Sequence, residues 1–89
     1  MTATPKLLTS PQLLGTTIRK SRKAQGLRID DTAALCGVSV DLLSRLENAQ
    51  GSVRLDKVMA LLDGLGLGLV LLPKEHALWQ QIEHSLKTS

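Results

Sequence analysis

Apolar residues recur every three to four positions through most of this chain, and at every second position over one short stretch. The first helical stripe is Leu14, Ile18 and then Arg22. Ser10 opens it as N-cap with Pro11 at the first helical position, and Gly26 closes it. A second, shorter helix starts with Asp30 and Asp31, which favour the positive end of a helix dipole. Its small residues Ala33, Ala34 and Cys36 let another helix approach closely, and Gly37 ends it after barely two turns. Ser39 is a natural cap for a third helix, Val40 to about Asn48, with Leu43 and Leu46 at the core-facing spacing. After the loop Gln50-Gly51-Ser52, a fourth helix is predicted over roughly Leu55 to Leu65. Leu55, Val58, Met59, Leu62 and Leu65 form its stripe, and Gly66 caps its end.

The period then drops from 3.6 to 2. Leu67, Leu69 and Leu71 share one face, Val70 and Leu72 lie between and after them, and Pro73 terminates the run. This reads as a strand, and a lone strand leaves backbone groups unpaired on both edges. Two arrangements satisfy it. One is pairing with the same strand of a second copy across a twofold axis; the other is an extended apolar tail packed on its own core. Lys74 to Lys87 reads as a last helix, with Leu78, Ile82 and Leu86 at i, i+4 and i+8 beside Trp79.

Composition narrows the picture. The 89 residues suit one small domain and exclude a catalytic cleft walled by two. Nineteen leucines supply the core in place of Phe and Tyr, which are absent, and Trp79 is the single aromatic residue. A chain this short buries roughly 60–65% of its unfolded surface, a thin margin that a partner subunit would widen. Cys36, the single cysteine, makes no internal disulfide. The longest apolar run, Leu65 to Leu72, is too short to span a membrane, and no signal peptide is legible; a cytoplasmic protein is expected. The charge is placed unevenly. Residues 1–28 carry six bases and no acid, whereas the remainder has eight acids and five bases. A +6 segment followed by −3 is consistent with one face turned toward a polyanion, and equally with a solvated basic helix face.

No catalytic constellation is present, so an enzyme is not expected, nor is a cofactor. Gly64-Leu65-Gly66-Leu67-Gly68 follows a helix and precedes the strand, the reverse of a dinucleotide fingerprint. His76 and His84 stand eight apart, where a chelating helical pair needs about four, so no metal site is expected. Cys36 has no basic neighbour in sequence and reads as core. What remains is a tight Gly37-Val38-Ser39 bend between two short helices, the pattern of a helix-turn-helix. Gly37 supplies the left-handed conformation, Val38 plugs the core beneath the bend, and Ser39 caps a helix whose opening residues point outward, at the width of a DNA major groove.

Gly26-Leu27, Ala33 through Ser39, and Leu43-Ser44-Arg45-Leu46-Glu47-Asn48 resemble the Xre/Cro-type phage-repressor helix-turn-helix over about residues 10–66. The Ser10-Pro11 start, the fourth helix and the following strand extend this to a resemblance to HipB-type antitoxins as far as Leu72. The resemblance implies an all-α bundle of four helices, a C-terminal strand pairing across a dimer, and a final helix. Residues 1–9 would be a tail, 10–66 the DNA-binding domain, 67–73 the dimerisation strand through Leu67, Leu69, Val70, Leu71 and Leu72, and 74–89 a C-terminal packing or partner-binding helix. It places Ser39, Val40, Asp41, Ser44 and Arg45 on the groove-facing side of the recognition helix, with Arg45 the candidate for bidentate contact to guanine. Asp41, one turn earlier, either accepts from cytosine or holds Arg45 in place. Arg22 and Glu47 match a pair tying helix one to the end of helix three beside the phosphate backbone. Asn48 and Gln50 match backbone-contacting loop positions, and Arg19 and Lys23 would add phosphate affinity without specificity.

The chain departs from that family where Thr or Ser followed by Gln usually opens the second helix. Here Arg28, which cannot cap but can reach phosphate, precedes Ile29, which can touch only a thymine methyl. Arg54 likewise replaces the usual cap of the fourth helix. The function implied is a homodimeric autorepressor on a palindromic operator that also neutralises a HipA-type Ser/Thr kinase toxin. A stand-alone repressor and a protein-interaction module without DNA binding, which Ile29 favours, are the alternatives. Trp79 serves either to cover the core or to anchor a partner protein.

Overall fold

The computed structural model describes residues 6–88, with side chains through Ser85; the first five residues of the expected tail, and the side chain of Leu86, lie outside the described residues. Five helices follow in order: α1 (Pro11–Ala24), α2 (Ile29–Cys36), α3 (Val40–Glu47), α4 (Leu55–Gly64) and α5 (Ala77–Thr88). Their starts follow local chemistry. Ser10 Oγ accepts from the Leu13 N–H at 3.2 Å and Ser39 Oγ from the Leu42 N–H at 3.0 Å. Arg28 and Arg54 stand at the N-caps of α2 and α4 without a side-chain cap bond; each pairs instead with an acid two residues on, Asp30 at 3.3 Å and Asp56 at 2.8 Å. The bend after α2 depends on Gly37, whose φ of +70° is a left-handed conformation costly for other residues. It lets the Val38 N–H turn back to the Ala33 carbonyl at 2.9 Å.

The core lies where α3 crosses α1 and α2, and where α2 meets α4. Ile18, Leu43 and Leu61 are fully buried there, with Ala33, Leu46, Val58, Leu62 and Leu65 around them. The α1–α3 crossing is close because Gly15 has no side chain: a Cβ there would run into the Leu46 carbonyl oxygen and stand 2.7 Å from that of Glu47.

Four expectations need correction. On α4, Val58, Leu62 and Leu65 of the expected stripe are buried, but Leu55 and Met59 are 71% and 52% exposed, and the buried face is completed instead by Leu61, which is fully inaccessible. Apolar residues surround α4 almost entirely, so periodicity cannot choose a face, and contact with α2 makes the choice. Ala34 is exposed, and Ala33 alone of the two makes the close approach. Residues 67–73 hold no strand among the described residues. Leu67 packs against the core and Leu72 is half-buried, whereas Val70 and Leu71 between them are 76% and 99% exposed, so the tail folds onto its own core only in part. Last, α5 begins three residues later than expected. Pro73 opens a turn closed by the His76 N–H to the Pro73 carbonyl at 2.9 Å, and His76 Nδ1 then accepts from the Leu78 N–H at 3.0 Å. Trp79 on α5 is half-buried, with the Lys74 ammonium 5.8 Å from its ring centre. No helix among the described residues is long and apolar enough to cross a membrane.

Cys36 packs against the core, its Sγ facing Gly64 of α4 so closely that a Cβ there would collide with it. Burial, and to a lesser degree the Asp63 charge, push the Cys36 thiol above its ordinary pKa. Its contribution to stability is therefore full below the ordinary thiol range and is lost as pH rises through the higher folded value. Iodoacetamide should alkylate the native protein at pH 8 more slowly than the urea-unfolded chain, with the gap closing as pH climbs. Equal rates across that range would contradict the α2–α4 contact.

Candidate nucleic-acid interface

The exposed face of α3 is built by two constraints acting on its opposite side. Leu43 and Leu46 are buried in the core, and Glu47 is clamped by Arg22. The helix then turns outward through Ser39, Val40, Asp41, Ser44 and Arg45. Ser39, Val40 and Asp41 are exposed, while Ser44 and Arg45 are half-buried at its edge.

Arg45 is held in a defined pose. Its Nε donates to Asp41 Oδ2 at 3.0 Å, one helical turn back, and its Nη1 donates to the Ser52 carbonyl at 3.0 Å. Thus Asp41 orients Arg45, and Arg45 ties α3 to the loop that follows. That loop leaves α3 through Ala49, at φ +53°, a strained conformation for a residue with a Cβ. Nothing in the sequence marks Ala49; the position is ordinarily suited to Gly or Asn. Gly51 approaches the same guanidinium at 3.9 Å, measured from where a Cβ would stand. Asn48 is exposed and donates its amide to the Ser44 carbonyl at 2.8 Å; Gln50 is exposed beside it. An open, mostly apolar cleft of about 400 Å³ runs between Leu8, Leu14 and Val53, with Arg45 on its rim.

The basic residues divide by environment. Arg19, Lys23 and Arg28 are exposed cations, the last paired with Asp30. Arg22 is only 8% exposed, and three of its donors are already used. Nε reaches Glu47 Oε2 at 2.7 Å, Nη2 reaches Glu47 Oε1 at 3.0 Å and Nη1 reaches the Leu27 carbonyl at 2.9 Å. Glu47 raises the Arg22 pKa, outweighing the opposing effect of burial, so the guanidinium stays charged inside the protein. Arg22 therefore acts as a strut rather than a free phosphate ligand. Ile29 is half-buried and packs against the core, so the contact expected of it has little side chain left to make it.

An arginine fixed on the outer face of a short helix, behind a glycine bend and braced by a second helix, defines a helix-turn-helix protein. The chain belongs to the helix-turn-helix domain family, whose profile matches residues 13–74. It is 32% identical over 71 residues to an uncharacterized HTH-type transcriptional regulator of Sinorhizobium fredii, spanning 79% of this chain and 93% of that protein. The same fold occurs in a chain of a HipA-HipB-O2-O3 complex, with a TM-score of 0.71 at 21% identity over 79% of this chain and 99% of that one. It occurs again in a HipB variant in complex with an O2 20-mer, with a TM-score of 0.73 at 21% identity over 81% of this chain and all of the other.

Proposed function

We propose that this protein is a sequence-specific DNA-binding transcriptional repressor that binds an inverted-repeat operator as a homodimer. The observation that carries this reading is Arg45, oriented by Asp41 and the Ser52 carbonyl on the outward face of α3. A guanidinium with its torsions already restrained loses little entropy on forming two parallel bonds to guanine O6 and N7. Ser39, Val40, Ser44 and Asp41 share that face. Arg19, Lys23, Arg28, Asn48 and Gln50 flank it as phosphate contacts that set register without reading sequence. The exposed side chains of Leu69, Val70 and Leu71 support dimerisation, because the same segment of a second copy would cover them and pair the polar backbone groups between them. Half-sites would then lie an integral number of helical turns apart.

The likeness to chains from HipB complexes supports a finer reading, in which the protein is an antitoxin and a HipA-type kinase is its partner. The half-buried Trp79 on α5 would be the anchor. Co-purification of the kinase with the intact protein, lost on Trp79→Ala, tests it. An intact repressor that captures no kinase would leave the stand-alone reading.

DNA binding is tested by gel-shift titration over a range of salt. Arg45→Ala should weaken specific binding by about 1–3 kcal/mol per half-site while leaving random-sequence binding unchanged. Its melting should fall only modestly, because the Asp41–Arg45 pair contributes about 0.3–0.5 kcal/mol and the bond to the Ser52 carbonyl about 0.5–1.5 kcal/mol. Lys23→Ala should instead weaken all duplexes alike and lower the salt slope by about two per dimer. Equal affinity of the parent protein for operator and random duplex, with no salt slope, would leave only the interaction-module reading.

A further inference from the structure

Two side chains leave the last turns of α1 for different parts of the molecule. Arg22 grips Glu47 at the end of α3. Gln25, the residue capping α1 one turn later, donates from its amide Nε2 to the Leu65 carbonyl at 3.1 Å, forty residues further along the chain, and to Ser21 Oγ at 3.3 Å. Leu65 is where α4 ends, and the final carbonyls of a helix need donors from elsewhere. The turn supplies two itself: the Gly66 N–H donates to the Asp63 carbonyl at 3.0 Å and the Leu67 N–H to that of Leu62 at 2.7 Å. The Leu65 carbonyl takes its donor from α1 instead.

The Leu65–Gly66 peptide is a rigid plane. Its N–H is bound to α4 and its carbonyl to α1, so its orientation is set from both sides. Gly66, at φ +75°, is the swivel from which the segment carrying Leu69, Val70 and Leu71 departs. A continuous line of bonds therefore runs from the end of α3 through Glu47, Arg22, α1 and Gln25 to the start of that segment. We propose that Gln25 is a positioning residue that sets the angle at which residues 67–72 leave the bundle, and thereby the separation of the two α3 helices in the dimer. The inference rests on the homodimer proposed above. Without Gln25 the Leu65–Gly66 plane is held from α4 alone, through the Gly66 and Leu67 N–H bonds, while α1, α3 and their clamp stay as they are, so the loss falls on the geometry between subunits rather than on either half-site contact.

One added base pair between half-sites rotates one against the other by about 35° and moves it by about 3.4 Å, so a spacer series reads this geometry directly. The intact protein would first select an operator from randomised duplex. Affinities of the parent, Gln25→Ala and Gln25→Lys would then be measured on that operator with spacers from two base pairs shorter to two longer, alongside a single half-site and thermal melting. The parent should favour one spacing by at least about tenfold over its neighbours. Gln25→Ala should bind the half-site as the parent does, melt within a few degrees of it, and lose most of the spacing preference. Gln25→Lys, which restores an N–H donor within reach of the Leu65 carbonyl, should recover it. An unchanged spacing profile in Gln25→Ala would overturn the role of Gln25 and leave the dimer standing. Equal loss at half-site and full operator would reduce Gln25 to fold stability and also overturn it. A parent protein with no spacing preference would overturn the dimer, and this inference with it.

Discussion

Replacing Glu47 with alanine is expected to destabilise the protein by about 3–5 kcal/mol, a large share of the stability of a domain this size. The Glu47 and Arg22 side chains are only 4% and 10% exposed, and they meet through two parallel bonds of 2.7 and 3.0 Å. Alanine at 47 leaves a guanidinium inside the protein with the Leu27 carbonyl as its remaining partner. Arginine cannot shed its charge to escape the cost. An 89-residue domain has roughly 0.05–0.15 kcal/mol of stability per residue, or about 4–13 kcal/mol in all, so the loss takes between about a quarter and nearly all of it. The double replacement Arg22→Met with Glu47→Leu should recover most of the loss, because it removes both charges from the interior while keeping their volume. Urea denaturation of the single and double variants decides it. A Glu47→Ala midpoint close to that of the parent would mean that water reaches the pair and that it does not brace α3.

Gly15→Val should cost about 3 kcal/mol or more, at the upper end of what overpacking produces. The reason is the kind of atom it meets. A Cβ at this position is opposed by the carbonyl oxygens of Leu46 and Glu47, which belong to the backbone of α3 and cannot rotate aside as a side chain would. Helix α3 must therefore move bodily, taking Leu43 and Leu46 out of register with Ile18 and tilting the face that carries Arg45. Denaturation midpoints and operator affinity should fall together. Gly15→Ala should show the same trend partly offset, since alanine gains about 1 kcal/mol of helix propensity over glycine. Full operator affinity in Gly15→Val would show that the α1–α3 crossing tolerates a wider separation than the one seen.

These variants probe contacts of unequal legibility. The Ser10 and Ser39 caps, Pro11 at the start of α1, and the glycines at 26, 37 and 66 are readable because their physics is local: a cap bond spans three residues, and a left-handed turn needs one glycine. The pattern after Cys36 places the bend and the helix behind it within a residue or two. Arg45 and Asp41 are legible as a pair for the same reason, one turn apart on one helix.

The order of the helices, the starts of α1 and α3, the glycine bend and the outward arginine were thus decided within windows of about four residues, where neighbours in sequence are neighbours in space. Which of the apolar residues around α4 are buried, that Ile29 turns inward and that Gln25 holds the end of α4 were decided only when the helices packed, and the Arg22–Glu47 strut was legible only through the family resemblance. Each depends on a partner on another element, from 25 residues away for Arg22 and Glu47 to 40 for Gln25 and Leu65, and no periodicity within one helix encodes which neighbour it will meet.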